Sequence, residues 1–143
     1  MNFNNNPWLR EYRDVHLYTN TEQADPHGLI LLLLDGALNR LSSARACVEE
    51  GRTAEKCELL SSVMNIVDGL RLSLDRQQGG AIADNLDTLY EYINRRMLVA
   101  NSGNDLAAID EARELLRQIR EAWIGIANAA GKARAPDMLS AVR

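Results

Sequence analysis

A chain of 143 residues with 46% apolar and 25% charged side chains fits one soluble globular domain, and a fold of this size buries about two-thirds of its unfolded surface without a disulfide or metal staple. The net charge of −4, from 16 basic residues spread among 20 acids, leaves no concentrated basic patch and argues against nucleic acid. The longest apolar run, residues 29–34, ends at Asp35, well short of the about 17–25 residues of a membrane span, so no membrane insertion is expected.

Residues 1–24 read as a polar arm carrying isolated large apolar groups: Phe3, Trp8, Leu9, Tyr12, Val15, Leu17 and Tyr18. The asparagine-rich start has neither signal-peptide nor transit-peptide character. Trp8 and Tyr12 lie one helical turn apart and can serve as an anchor pair on an apolar groove. A weakly structured arm with such anchors docks and undocks at low cost, so it could act as a placeholder that a partner displaces.

Helical spacing dominates the remainder, and strand-like alternation persists nowhere. The first long helix is expected from Asp25-Pro26, where Asp25 caps free amides and Pro26 fits the first position. Ile30, Leu34, Ala37, Leu41, Ala44 and Val48 make its core stripe, and Gly51 ends it as a left-handed cap. Thr53 is the expected cap of the second helix, whose stripe is Leu60, Val63, Val67, Leu70 and Leu74, with Gly79-Gly80 as its stop. The third carries Ile82, Leu86, Leu89, Ile93, Met97 and Ala100 and ends within 101–103. Asn104 or Asp105 opens the fourth, with Ile109, Ala112, Leu116, Ile119, Trp123, Ile126 and Ala130 running to Gly131.

Four helices of about 20–27 residues joined by short turns predict an all-α fold, an antiparallel up-down four-helix bundle over residues 25–131. Each apolar stripe must be buried, and the other stripes are the surfaces available. The arm, or a short helix within it, adds to this bundle, and residues 132–143 form a flexible tail.

The chemistry-bearing residues are few. Cys47 and Cys57 lack metal-ligand spacing and read as two reduced thiols rather than a bridge across a hairpin, which suits the cytosol. His16 and His27 form no HxxxH, HExxH or ExxH pattern, and no glycine loop has a phosphate-binding pattern. Neither catalytic residues, a metal nor a cofactor are expected, and the chain reads as no enzyme. Asp84, Asp87 and Glu91 at helical spacing read as a solvated face rather than a carboxylate catalyst. His27 leaves one alternative, a histidine phosphotransfer module, although it stands in a first helical turn without a lysine nearby.

The first helix has more leucine than one stripe uses. Ile30 and Leu34 face the core, and Leu29, Leu31, Leu32 and Leu33 cannot all do so. Either the helix is central and touches neighbours on several sides, or part of this surface belongs to a partner groove. Tyr90 and Tyr92 flank core positions of the third helix, where tyrosine suits an interface or merely borders the core. A bundle that pairs weakly with itself through the surplus leucines is a third reading.

Several stretches resemble one family. Asp25-Pro26 followed by Leu33-Leu34-Asp35-Gly36-Ala37 looks like an opening helix that commonly reads Leu-Tyr-Asp-Gly-Ala. Leu89-Tyr90-Glu91-Tyr92-Ile93-Asn94-Arg95-Arg96-Met97, preceded by Asn85-Leu86 and followed by Ala100-Asn101, is similar to its third helix. Leu115-Leu116 and Ile119-Arg120-Glu121-Ala122-Trp123 resemble its last long helix. The family is that of the flagellin-specific secretion chaperones of bacterial flagella, the FliS family, and the resemblance spans about residues 7–130. Leu34 and Trp8 stand where tyrosine is usual.

The resemblance implies a cytoplasmic chaperone that binds the C-terminal segment of unassembled flagellin, prevents premature polymerisation and supports delivery to the flagellar type III export apparatus. Flagellin and that apparatus are the implied partners. The groove would be lined by Leu29, Leu32, Leu33, Tyr90 and Met97 and covered in the free state by Trp8, Leu9 and Tyr12.

Overall fold

The computed structural model describes residues 26–130, with side chains described over 27–126. Within them the fold is all-helical: α1 (Pro26–Glu50), α2 (Thr53–Leu72), α3 (Arg76–Gly103) and α4 (Leu106–Ala130). The expected arm, the Asp25 cap, Gly131 and the tail lie outside the described residues.

α1 packs chiefly against α2 and α4, and α3 against the same two. Cross-helix bonds fix the relative directions. Along α1 and α4, Trp123 bonds near His27, Arg120 near Asp35 and Asp110 near Arg45, so numbering rises on one helix as it falls on the other. Arg71 with Asp87 and Lys56 with Asn101 give the same reversal for α2 and α3.

The core follows the apolar stripes. Ile30, Leu34, Ala37, Leu41 and Ala44 of α1 and Leu60, Val63, Val67, Leu70 and Leu74 from the second stretch are buried, as are Ile109, Ala112, Leu116, Ile119 and Trp123 of α4. Val48 is half-buried at its margin. The α3 stripe holds at Leu86, Ile93, Met97 and Ala100, which are buried, and differs at two positions: Ala83 and Tyr90 are buried, whereas the expected Ile82 and Leu89 only pack against the rim. Steps of three and four through Tyr90 keep one helical face, and the stretch as a whole turns that face inward.

Two boundaries also differ. α2 stops at Leu72, not at the double glycine. Ser73 closes it, its N–H bonding Gly69 O at 3.1 Å and its hydroxyl donating to Leu70 O at 2.7 Å. Asp75 then caps α3 by accepting from the amides of Gln77 and Gln78, both at 3.1 Å. The glycine pair lies inside α3, where Gly80 at φ 53° makes a kink that a residue without Cβ adopts readily. At α2, Arg52 rather than Thr53 holds the cap position and supplies no capping bond; it bridges Glu50 and Glu55 instead.

Gly51 behaves as expected. At φ 73° it ends α1, with its own N–H on Val48 O and that of Arg52 on Cys47 O. This paired arrangement satisfies two of the carbonyls a helix end leaves open.

Candidate partner-binding surface

At the head of α1 the apolar run divides by direction. Ile30 and Leu34 are buried, Leu31 and Leu33 are half-buried and packed on the core, and Leu29 and Leu32 are half-buried. The run therefore serves several sides of the helix and keeps partial access to solvent. α4 closes one side: the Trp123 indole donates to the His27 carbonyl at 3.0 Å, and its ring stacks on the imidazole at 4.9 Å and 8°. Arg120 reaches Asp35 one helical stretch further on.

Tyr90 and Met97 are placed differently from the expected groove lining. At 3% and 0% exposure they belong to the core layer, and burial pushes the Tyr90 phenol well above its ordinary pKa. Their register puts both on the buried face of α3. Trp8, Leu9 and Tyr12 lie outside the described residues.

The Tyr-x-Tyr-Ile-x-Arg-Arg stretch divides its labour across α3. Tyr90 and Ile93 face inward. The Tyr92 hydroxyl bonds both Glu111 carboxylate oxygens, at 2.9 and 2.8 Å, and Arg96 donates to the same carboxylate at 2.8 Å. The carboxylate bonding Tyr92 raises the pKa of its phenol. Arg95 stands outward, bonded to Glu91 at 3.1 Å and 5.9 Å above the Tyr92 ring. The motif thus sets how α3 sits on α4.

Among the described residues, open clefts flank this frame on two sides. One, of about 610 Å³ between α1 and α4, is lined by Leu38, Asn39, Ser42, Arg45, Asp110, Arg113, Glu114 and Arg117. Arg45 grips Asp110 at 2.9 and 3.3 Å, which holds that carboxyl below its usual range. The other, of about 510 Å³ where α2 turns into α3, holds Asn65, Asp68, Leu74 and, beside it, Leu72, which is 74% exposed. Arg71 and Arg76 both contact Asp87 there at 2.9 Å, and the Arg71 bond leads in lowering its pKa.

These contacts bear on the catalytic alternatives. Asp84, Asp87 and Glu91 are each engaged by arginines, Asp84 by Arg76 and Glu91 by Arg95. Carboxylates neutralised in this way are poorly placed to share a proton. Both imidazole nitrogens of His27 are buried, so this histidine presents no phosphoryl acceptor to solvent; His16 lies outside the described residues. Cys47 and Cys57 are free thiols, the first buried, and burial raises its pKa. Among the described residues no cluster of His, Cys, Asp or Glu could hold a metal ion, and no helix is long and apolar enough to cross a membrane.

The sequence model of the family described as flagellar protein FliS matches residues 9–130. The chain belongs to the FliS family. It is 45% identical over 116 residues to the flagellar secretion chaperone FliS of Salmonella typhimurium, covering 80% of this chain and 86% of that one. It is 39% identical over 120 residues to the flagellar secretion chaperone FliSB of Pseudomonas aeruginosa, covering 84% of this chain and 95% of that one. A crystal structure of a bacterial flagellar chaperone shares the fold with a TM-score of 0.71 at 14% identity, over 84% of this chain and 98% of that one. In this FliS member Tyr92 and Arg96 of α3 meet Glu111 of α4 and join the two helices.

Sequence reasoning missed Lys56 and Leu72. A lysine among helical polar residues gives no sign of burial, and Leu72 lies next to a core position. The signal for the boundary beside Leu72 was present, because Asp75 followed by Arg-Gln-Gln is a capping sequence.

Proposed function

We propose that the protein is a cytoplasmic secretion chaperone for flagellin. It would bind the C-terminal segment of the unassembled subunit, prevent premature polymerisation and pass it to the flagellar type III export apparatus. The observation that carries this reading is family membership over residues 9–130, together with relatives named as flagellar secretion chaperones.

The physical features agree with such a role. A disordered amphipathic client can fold as helices along apolar grooves of a preformed bundle. Occupying the apolar faces through which subunits associate blocks polymerisation by competition alone, with no chemical step. Ordering the client offsets part of the binding energy, about 2–5 kcal/mol or more, which moderates affinity and favours later release.

The reading includes an antiparallel up-down bundle over residues 25–131, supported by the reversed numbering of the cross-helix bonds. It also includes an arm over 1–24 and a flexible tail over 132–143. The client surface is assigned to Leu29, Leu32 and Leu33, half-buried at the head of α1, with Trp8, Leu9 and Tyr12 as the displaceable cover. Tyr90 and Met97 form the buried layer behind.

Calorimetric titration of a flagellin C-terminal peptide into the full chain tests this directly. Saturable binding is expected, and absence of binding at about tens of micromolar, on the order of −6 kcal/mol, overturns the reading. Leu32→Asp is expected to weaken the interaction about tenfold or more, because a carboxylate would be desolvated under the client. Removing residues 1–18 should raise peptide affinity if the arm competes; unchanged affinity removes the arm from the mechanism and leaves the client assignment standing.

A further inference from the structure

Among the described residues Lys56 is the charged side chain counted with the core, at 2% exposure. Lys56 and Lys132 are the two lysines among the 16 basic residues of the chain. The Lys56 ammonium donates to Asn101 O at 2.8 Å and to Asn104 Oδ1 at 2.6 Å. Both acceptors belong to the end of α3. Asn101 lies in its last turn, and Asn104 is its C-cap, held left-handed at φ 51° and ψ 42°.

The terminal carbonyls of a helix lack amide partners, and their partial negative charge favours a cation. α3 carries no basic residue in its last turn. The cation comes instead from the first turn of α2, a different helix 45 residues earlier in the chain. A buried ammonium is costly unless its donors are bonded, so this contact is held as a unit or lost as a unit. A compact ammonium suits two converging oxygens, whereas a planar guanidinium matches best a carboxylate that accepts two parallel bonds.

We propose that Lys56 is a latch that locks the α3–α4 turn onto the start of α2. In the closed state the ammonium is seated on Asn101 and Asn104. In the open state it reaches water, and the last turn of α3 and the turn at Asn104 loosen together. The latch lies just beyond Leu98 and Val99, which are 57% and 41% exposed, so it also sets how that apolar pair is presented. It does not depend on the chaperone reading.

Amine acetylation of the full chain, mapped by mass spectrometry at each lysine, reads the latch. In native buffer Lys56 should react about a hundredfold or more slowly than in the denatured chain; equal rates overturn the proposal. Simple burial would also slow the reaction, so Asn104→Gly supplies the decisive arm. Glycine tolerates the left-handed cap and removes one of the two acceptors. Lys56 acetylation and amide exchange over residues 102–106 should both speed up about tenfold or more, with exchange around Trp123 unchanged. If Asn104→Gly alters neither rate, the latch does not exist. Lys56→Met should accelerate the same amides, and if that variant fails to fold, Asn104→Gly still decides.

Discussion

Two contact regions at opposite ends of the helical frame are closed by different chemistry. Where α1 begins and α4 ends, the contact is a large aromatic group: Trp123 stacked on His27 amid leucines. Where α1 ends, α2 begins and α3 turns into α4, the contacts are polar. Gly51 closes one turn with backbone bonds, Lys56 seats on Asn101 and Asn104, and Arg45 grips Asp110. The first end has apolar area left over, with Leu29 and Leu32 half-buried. The second fixes its chain turns by directional bonds that admit one geometry. An apolar surface can be shared with a client because dispersion and burial are non-directional, whereas a seated ammonium cannot be lent without loss.

Substitutions at each end sharpen that difference. Trp123→Ala should have the largest effect, about 3–5 kcal/mol in urea unfolding, because it leaves a cavity where the buried indole packed. Lys56→Met should lose less, about 1–3 kcal/mol, the cost of leaving the Asn101 and Asn104 oxygens without a donor. Equal losses at both positions would show that the polar end is as cooperative as the apolar one.

The arginine pairs rank lower. Asp87 is held below the usual carboxylate range by Arg71, with Arg76 adding to it. A carboxyl with a depressed folded-state pKa contributes stability above its unfolded value, about 3.9, and loses it as pH falls through the folded value. Asp87→Asn should therefore cost about 0.5–1 kcal/mol near neutrality, and the gap from the parent protein should close in acid below about pH 4. Urea titrations at several pH values measure this. The smallest effect belongs to Arg117, whose contacts to Glu114 and Glu121 lie on an exposed face of α4. Arg117→Ala should leave the urea midpoint unchanged, since solvent and salt screen such pairs.

Much of the frame was legible beforehand because it depends on local periodicity. The stripes of α1 and α4, the Gly51 cap and the capping role of Asp105, which accepts from the Ala108 amide, follow from residue spacing and side-chain chemistry within a few positions. The break after Leu72 was misassigned to Gly79-Gly80 because two glycines look like a stop, while Ser73 and Asp75 do the closing and capping with side-chain oxygens. The side-chain type of Tyr90 suits an interface and a core border alike, so its burial follows only from the packing of α3.

By itself the sequence determined the helical class, the succession of four apolar faces and membership of the FliS family. Those properties reside in the order of side chains along one strand of chain. Tertiary structure alone decided that Tyr90 turns wholly inward, that Glu111 joins Tyr92 to Arg96, and that an isolated lysine is buried at the end of another helix. Each of these depends on the rotation and axial register of one helix against its neighbour. Summed packing over the whole core sets that register, and no local window of residues contains it.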